Sequence, residues 1–403
     1  MRKLLLLLLT GITIMDLTAQ EKKFEIEFHG FVGVDAIHDS RASKTVRHRH
    51  LLLYPLAASL NEEGHDLNNR GEFDIDAAHS RFSLHIKGPD INGITTFAMM
   101  EGDFSGGLPG TDADFQMRHA YIQFGYKKIG LIAGQTWHPF FIPENYPQTI
   151  NAGVGVPIHP LNRNPQLRFI YKPTENLELS ATILEQNGFR SAGFSKGTEE
   201  AELPEFALQM KARGTGPLWA SLTAGYKTLA IPYDIDLQEE PTTMGSFHFS
   251  ASLRVKTGPM VLRGGTVYGG NLTEHVMPGG VGRVISSTSQ HPEYKPLNTG
   301  SYWFDMGTNS KTWDPGFFIG YLKNYGASEI IEVINALGRD ANIASVLVFS
   351  PRLRYLIGSH VWIGAEYTYN KAAYGSEVTS KGKPANTTSY VNHRTQLSLK
   401  YSF

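Results

Sequence analysis

The sequence predicts an all-β protein: a transmembrane antiparallel up-and-down β-barrel of about sixteen strands, closed around a pore. Three observations predict it. Segments of strict apolar/polar alternation recur from residue 24 to the C-terminus, where Leu397, Leu399, Tyr401 and Phe403 alternate with Gln396, Ser398, Lys400 and Ser402. Short connections with turn chemistry alternate with long polar ones along the chain. The chain opens with Arg2-Lys3, six leucines from Leu4 to Leu9 and a stretch ending in Ala19, the pattern of a cleaved secretion leader. We expect residues 1–19 to be that signal peptide and residues 20–403 a single barrel domain.

Beyond residue 20 no apolar run reaches the roughly 18–20 residues of a spanning helix, whereas a tilted strand spans with about 9–11. The expected strands are 24–38, 79–87, 93–103, 115–126, 129–137, 164–172, 177–186, 205–213, 217–229, 245–256, 258–269, 300–307, 313–325, 344–356, 361–371 and 390–403. The first sets Phe24, Ile26 and Phe28 against Glu25, Glu27 and His29; the strand at 245–256 sets Phe247, Phe249, Ala251, Leu253 and Val255 against His248, Ser250, Ser252, Arg254 and Lys256. The strand at 300–307 rests on parity: without it, short and long connections would exchange sides. The short connections 88–93, 126–130, 172–176, 214–217, 256–259 and 357–360 are expected on the periplasmic side. The long ones, 39–78, 104–114, 138–163, 187–204, 230–244, 270–299, 326–343 and 372–389, are expected outside the cell. A soluble sandwich also alternates, but it needs neither a leader nor aromatic ends such as Tyr121, Tyr126, Tyr171, Tyr367, Tyr369, Tyr401 and Phe403.

Composition narrows the function. The chain has 403 residues with 41 Gly, 22 Phe, 18 Tyr, 5 Trp and no Cys. Lys plus Arg is 37 and Asp plus Glu is 38, for a net charge of −1, which excludes a sequence-independent nucleic-acid binder. The lack of Cys excludes a disulfide scaffold and thiolate chemistry. No HExxH, EF-hand or phosphate-cradling pattern occurs, so no catalytic residue, metal or cofactor is expected. His48 and His50 sit two apart, as metal ligands on a strand do, but with no carboxylate partner nearby in sequence.

Several segments resemble the DcaP-like family of trimeric outer-membrane porins. They are Phe28-His29-Gly30-Phe31-Val32 with Asp35-Ala36-Ile37-His38-Asp39-Ser40; Ser80-Arg81-Phe82; Glu101-Gly102-Asp103-Phe104; Arg118-His119-Ala120-Tyr121; Ile132-Ala133-Gly134-Gln135-Thr136-Trp137-His138-Pro139-Phe140; and Gln166-Leu167-Arg168-Phe169 with Glu185-Gln186-Asn187-Gly188. The resemblance covers about residues 24–190 and weakens afterwards. It implies sixteen strands, a homotrimer and uptake of small anions such as dicarboxylates. Members of that family can carry an N-terminal coiled-coil extension; here only a few residues separate Ala19 from the first strand.

Alternation also assigns faces. The polar phase, pointing into the lumen, carries Arg81, Lys87, Arg168, Lys211, Arg213, Arg254, Lys256, Arg263, Arg352, Arg354, Arg394 and Lys400, which outnumber Glu25, Glu27, Asp35, Glu101, Glu178 and Glu366 on the same phase. The excess acid is then in loops, as in Glu62-Glu63, Glu199-Glu200 and Glu239-Glu240. Lumen charges can pair with one another, or they can form an anion path; the excess of cations favours the path, with Arg352 and Arg354 on one strand and Arg394 on the last as its strongest element. The third long loop, 138–163, is too apolar for a surface loop. It is expected to fold into the pore as a constriction carrying Phe140, Glu144, Tyr146, His159 and Arg163. Segment 41–50, with Arg41, Lys44, Arg47, His48, Arg49 and His50, reads equally as an anion funnel or lipopolysaccharide clamp and as a solvated loop.

The expected function is an outer-membrane porin for passive diffusion of small hydrophilic solutes, preferring small anions, embedded among outer-membrane lipid and lipopolysaccharide. The alternatives are a phosphate or general non-selective porin and a gated hydrophobic-substrate channel.

Overall fold

In the computed structural model, residues 24–106, 113–185, 200–214, 216–231, 242–285 and 292–403 are described. The leader at 1–19 and the Glu239-Glu240 pair lie outside them. Sixteen antiparallel staves close on themselves among these residues. The first strand, β1 (Glu25–Asp39), pairs on one side with β4 (Glu72–Asp76) and β5 (Arg81–Lys87), two pieces of one stave. On its other side it pairs with the last strand, β21 (Pro384–Ser402), with Phe31 opposite Ser402 and Asp39 opposite Arg394. Between them each stave pairs with the next: β6 (Ile94–Gly106), β7 (Asp114–Tyr126), β8 (Ile129–Trp137), β9 (Arg163–Thr174), β10 (Leu177–Leu184), β11 (Glu205–Arg213), β12 (Leu218–Ile231), β13 (Thr242–Thr257), β14 (Met260–Gly270), β16 (Tyr294–Thr308), β17 (Trp313–Gly326), β19 (Ile343–Ile357) and β20 (Val361–Val378). Every expected strand has its counterpart, including the parity-based one at 300–307, which is longer than expected.

The pattern of exposure is that of a soluble protein turned inside out. Over Ser221–Tyr226 of β12 and Ser246–Leu253 of β13 the exposed positions are apolar (Leu222, Phe247, Phe249, Leu253), and the buried ones are polar or glycine (Ser221, Thr223, Ser246, His248, Ser250). A continuous apolar outer face is stable only against hydrocarbon, where closure of the sheet also pairs every stave's backbone groups. The terminal residue completes closure: Phe403 exchanges both backbone hydrogen bonds with Gly30 at 3.0 Å, and its ring stacks on Phe28 at 5.5 Å. No described helix is long and apolar enough to cross a membrane.

Four long connections are more ordered than their polarity suggests. Segment 39–78 contains a hairpin, β2 (Ser43–Val46) with β3 (Leu51–Pro55), as well as β4. Segments 270–299 and 326–343 contribute β15 (Gly279–Val284) and β18 (Ile331–Arg339), which pair with each other, β15 pairing also with the start of β16. Segment 372–389 is mostly strand: β20 and β21 run on as a paired ribbon to Val378 and Pro384. Its Thr, Tyr and Val content suits strand backbone, so the polar side chains there mark a ribbon leaving the membrane.

Gly134 in β8 has φ +123°, and a Cβ there would stand 2.3 Å from the Ala120 carbonyl oxygen and 2.8 Å from Tyr121 Cα. The backbone cannot yield without breaking the β7–β8 ladder. Gly134→Ala is therefore expected to destabilise the barrel by about 2 kcal/mol or more, read as a lower temperature for loss of the folded, fast-migrating gel band.

Candidate functional site in the channel interior

The third long connection crosses the lumen. It leaves β8 at Trp137, returns at Arg163, and is fastened at both ends: His138 N–H donates to the Asn162 carbonyl at 3.1 Å, and His138 Nε2 donates to Glu205 at 2.8 Å. From there it touches the far wall in sequence. The Arg254 guanidinium donates to the Glu144 carbonyl, Gln148 N–H donates to Asp305 at 3.3 Å, and the N–H groups of Ile150 and Asn151 donate to Glu366 at 2.7 and 3.2 Å. Its apolar residues have the cover they need. Phe140, Phe141, Val156, Ile158 and Leu161 form one buried cluster with Leu51, Leu53 and Tyr54 of the β2–β3 hairpin and with wall residues such as Trp303, Phe318 and Val348. Loop and hairpin together fill one side of the barrel and leave the channel against β5–β9. Glu366→Ala removes both backbone acceptors at the loop tip, about 2 kcal/mol of anchoring; the expected result is a larger and noisier single-channel current than wild type.

What remains is a cavity of about 510 Å³. Its lining includes Arg47, Arg81, Arg118, Arg163, Arg168 and Lys211 against Glu101, Asp103 and Glu144, with Tyr121, Trp137, Phe141 and Tyr146 as apolar walls. The carboxylates are largely committed. Arg118 holds Glu101 and Asp103, each at 2.6 Å, and Lys211 holds Glu144 at 3.2 Å. Arg81 reaches Glu101 only at 3.4 Å, while Arg168 donates to the Trp137 carbonyl and Gln166, both at 2.7 Å. The Nε donors of both Arg81 and Arg168 are buried without a hydrogen-bond partner. The cavity is thus basic, with six cationic side chains facing three carboxylates.

Segment 41–50 is not a solvated face. Arg41 is buried, 2.8 Å from Asp66; Arg49 bridges Asp39 and Glu72; and His50 donates to Asp76 at 2.7 Å. Arg47, His48 and Arg49 all lie in the left-handed region, at φ 55°, 51° and 65°. Each such residue costs about 1–2 kcal/mol, and the ion pairs and the His48 contact to the Gly106 carbonyl at 2.9 Å hold the turn in place. The turn delivers Arg47 to the cavity. Burial, then the nearby Arg118, lowers the Arg47 guanidinium to about 9, still cationic at neutral pH. Burial acts to lower His50 too, but Asp35 and Asp76 outweigh it and bring the imidazole up to about 9. Lys44 alone of the segment's cations extends outward, 3.9 Å from Asp340.

The other expected residues divide by their surroundings. Arg263 and Arg352 meet at Asp305, Arg354 is bound to Asp314, and Arg394 grips Asp39 through Nε and Nη2 at 2.8 Å each. These are wall staples, and the expected basic ladder of Arg352, Arg354 and Arg394 has its guanidinium forks filled by carboxylates. Lys87, Arg213 and Lys256 sit exposed beside the short turns, at the channel mouth. Lys400 lies over the Phe31 ring at 3.5 Å, and Arg254 on the Glu144 carbonyl. Within the constriction loop, Glu144, Tyr146 and Arg163 line the cavity, with Arg163 over the Trp137 ring at 4.7 Å. Phe140 and His159 are turned away and buried, Phe140 against His248 and His275, His159 edge-on to Phe141 and Trp303; burial pushes His159 down to about 3.

Arg118 escaped the parity reading because the β6–β7 register shifts between Glu101 and Gly102. Arg118 and His119 are consecutive and both buried, so a bulge turns two neighbours inward at once. The inward acids Asp39, Asp103, Asp305 and Asp314 lie at or near strand ends, where the expected boundaries fell short or the phase went uncounted.

No family model matches the chain, and no curated protein matches it by sequence. Its structural neighbours include outer-membrane proteins described as a channel and as a porin. The outer membrane channel DcaP of Acinetobacter baumannii superposes with a TM-score of 0.70 at 16% identity, over 96% of this chain and 99% of that one. The two share a fold. An anion-selective porin from Comamonas acidovorans superposes at 0.56 with 10% identity, over 94% and 100% of the chains. The trimer form of OmpT from Vibrio cholerae does so at 0.52 with 10% identity, over 94% and 99%.

Proposed function

We propose that this chain is an outer-membrane porin through which small hydrophilic solutes diffuse passively, with preference for small anions of the dicarboxylate type. The observation that carries this reading is the cavity between constriction loop and wall, where six cationic side chains face three carboxylates and Arg81 and Arg168 keep donors to spare. A planar guanidinium fork suits a carboxylate, and low-dielectric walls strengthen the attraction. The cations at the mouth, Lys87, Arg213 and Lys256, extend the same field to the short-turn end. The shared fold with channels, one of them described as anion-selective and another in a trimer form, supports an outer-membrane location and a homotrimer surrounded by lipid and lipopolysaccharide. The filled side of the lumen and the charged side chains in the cavity wall speak against a hydrophobic cargo. The test is the reversal potential of the purified protein in a planar bilayer across a KCl gradient, followed by substitution of a dicarboxylate for chloride. Anion preference with dicarboxylate permeation is expected; a zero or cation-selective potential overturns the preference, and absence of conductance overturns the porin.

A further inference from the structure

A second cluster lies on the wall of the same cavity and plays no part in the solute path just described. Asp35 of β1, His50 after the left-handed turn and His79 between β4 and β5 converge on one point. His50 Nδ1 is 3.2 Å from Asp35 Oδ2, and His79 Nδ1 is 3.1 Å from the same oxygen. The two rings stand 4.6 Å apart and tilted by 55°. All three atoms are buried, and both rings meet the oxygen as ion pairs without a well-aligned hydrogen bond. The two nitrogen–oxygen distances match the spacing of roughly 3.3 Å that metal–ligand bonds of about 2.0–2.2 Å set at tetrahedral angles, and all three donor atoms lie within 4.8 Å of one another.

The surroundings orient each donor. The other nitrogen of His50 donates to Asp76 at 2.7 Å, which leaves Nδ1 as the nitrogen turned to the cluster, where an ion would displace its proton and complete the carboxylate–histidine–metal arrangement. Asp76 also accepts the Ala78 N–H, fixing the turn that presents His79. Ser398 donates to Asp35 Oδ1, so Oδ2 is the oxygen left over. Both imidazoles line the cavity, giving the site one open side toward the channel. The cluster of His138, Glu205 and His248 is different: Phe140 N–H donates to His138 Nδ1 at 3.1 Å, so its Nε2 carries the proton given to Glu205.

We propose that Asp35, His50 and His79 form a site for one divalent transition-metal ion of the Zn²⁺ type on the channel wall, with its remaining coordination position facing the cavity. Two neutral imidazoles and a carboxylate are the donor set of such ions, and Asp35 with Asp76 balances the double charge. The sequence hid the site because His50 pairs with His79, not His48, and its carboxylates are 15 residues before it (Asp35) and 26 after it (Asp76).

The test uses the purified barrel in detergent, stripped with EDTA and titrated with Co²⁺ as a spectroscopic probe, then with Zn²⁺ in competition. One ion per chain is expected. His79→Gln and Asp35→Asn should abolish binding, Asp76→Asn should weaken it by about 10–100-fold at unchanged stoichiometry, and His138→Gln should leave it unaltered. The readout does not depend on conductance, so it stands apart from the porin reading. Where a variant fails to fold, the X-ray absorption spectrum of the Zn²⁺-loaded wild type decides, with two imidazole ligands expected. No stoichiometric ion in the wild type, wild-type affinity in His79→Gln and Asp35→Asn, or a spectrum without two imidazoles overturns the proposal in favour of a protonated His50 bridging its carboxylates.

Discussion

Replacing Arg81 and Arg168 together by glutamine is expected to lower the anion-to-cation permeability ratio by about tenfold, the lower end of what a charged, low-dielectric-walled cleft contributes to local ion concentration. The size follows from their surroundings. Arg118 and Lys211 stand in the same cavity, but carboxylates at 2.6 and 3.2 Å cancel most of their field. Arg168 is held by a carbonyl and an amide, and Arg81 shares Glu101, an acid Arg118 already binds more closely. Their charge is therefore compensated less closely than that of Arg118 and Lys211. Glutamine keeps donors at both positions and removes only the charge, so pore size should change little and single-channel conductance should fall less than selectivity. The difference between variant and wild type should fade near 1 M salt, where screening acts over about 3 Å. Reversal potentials at low and high salt measure both effects; an unchanged ratio at low salt would move the selectivity to the mouth or remove it.

The fold was legible because a lipid-facing barrel writes itself in a period of two. Leu397, Leu399 and Tyr401 had to face one side and Gln396 and Ser398 the other, whatever the rest of the chain did. Turn chemistry such as that at Gly258 set the parity that located the strand around Trp303. The apolar constriction loop was legible for the same reason, since Phe140, Phe141 and Ile158 cannot be left in water. The site was legible only in part. Parity says that Arg352 and Arg168 both point inward, but not that one meets Asp305 while the other meets only a carbonyl and an amide. Pairing across the lumen depends on stagger, on bulges such as that at Arg118, and on loops that return to the wall. Segment 41–50 shows the limit clearly: its charges read equally as an anion funnel or lipopolysaccharide clamp and as a solvated loop, and only Asp39, Glu72 and Asp76, supplied by neighbouring staves, draw it inward.

The stability effect expected to be largest falls on Arg352. Its guanidinium binds Asp305 through two nitrogens, at 2.7 and 3.3 Å, with both side chains fully buried. Arg352→Ala leaves Asp305 with Arg263 at 3.2 Å and the Gln148 N–H. Stripping one partner from a buried pair costs about 3–5 kcal/mol, whereas replacing both by neutral groups is often close to neutral. Arg352→Ala should therefore unfold at clearly lower urea, and Arg352→Met combined with Asp305→Asn should recover most of the loss. Because the Arg352 charge is already cancelled, anion selectivity of the folded channel should stay near wild type. The reverse result, full stability with lost selectivity, would return Arg352 to the ion path and make the strand-pattern reading of the basic ladder the better one. Urea titration and reversal potential on the same preparations thus separate the arginines that hold the barrel together from those that face the solute.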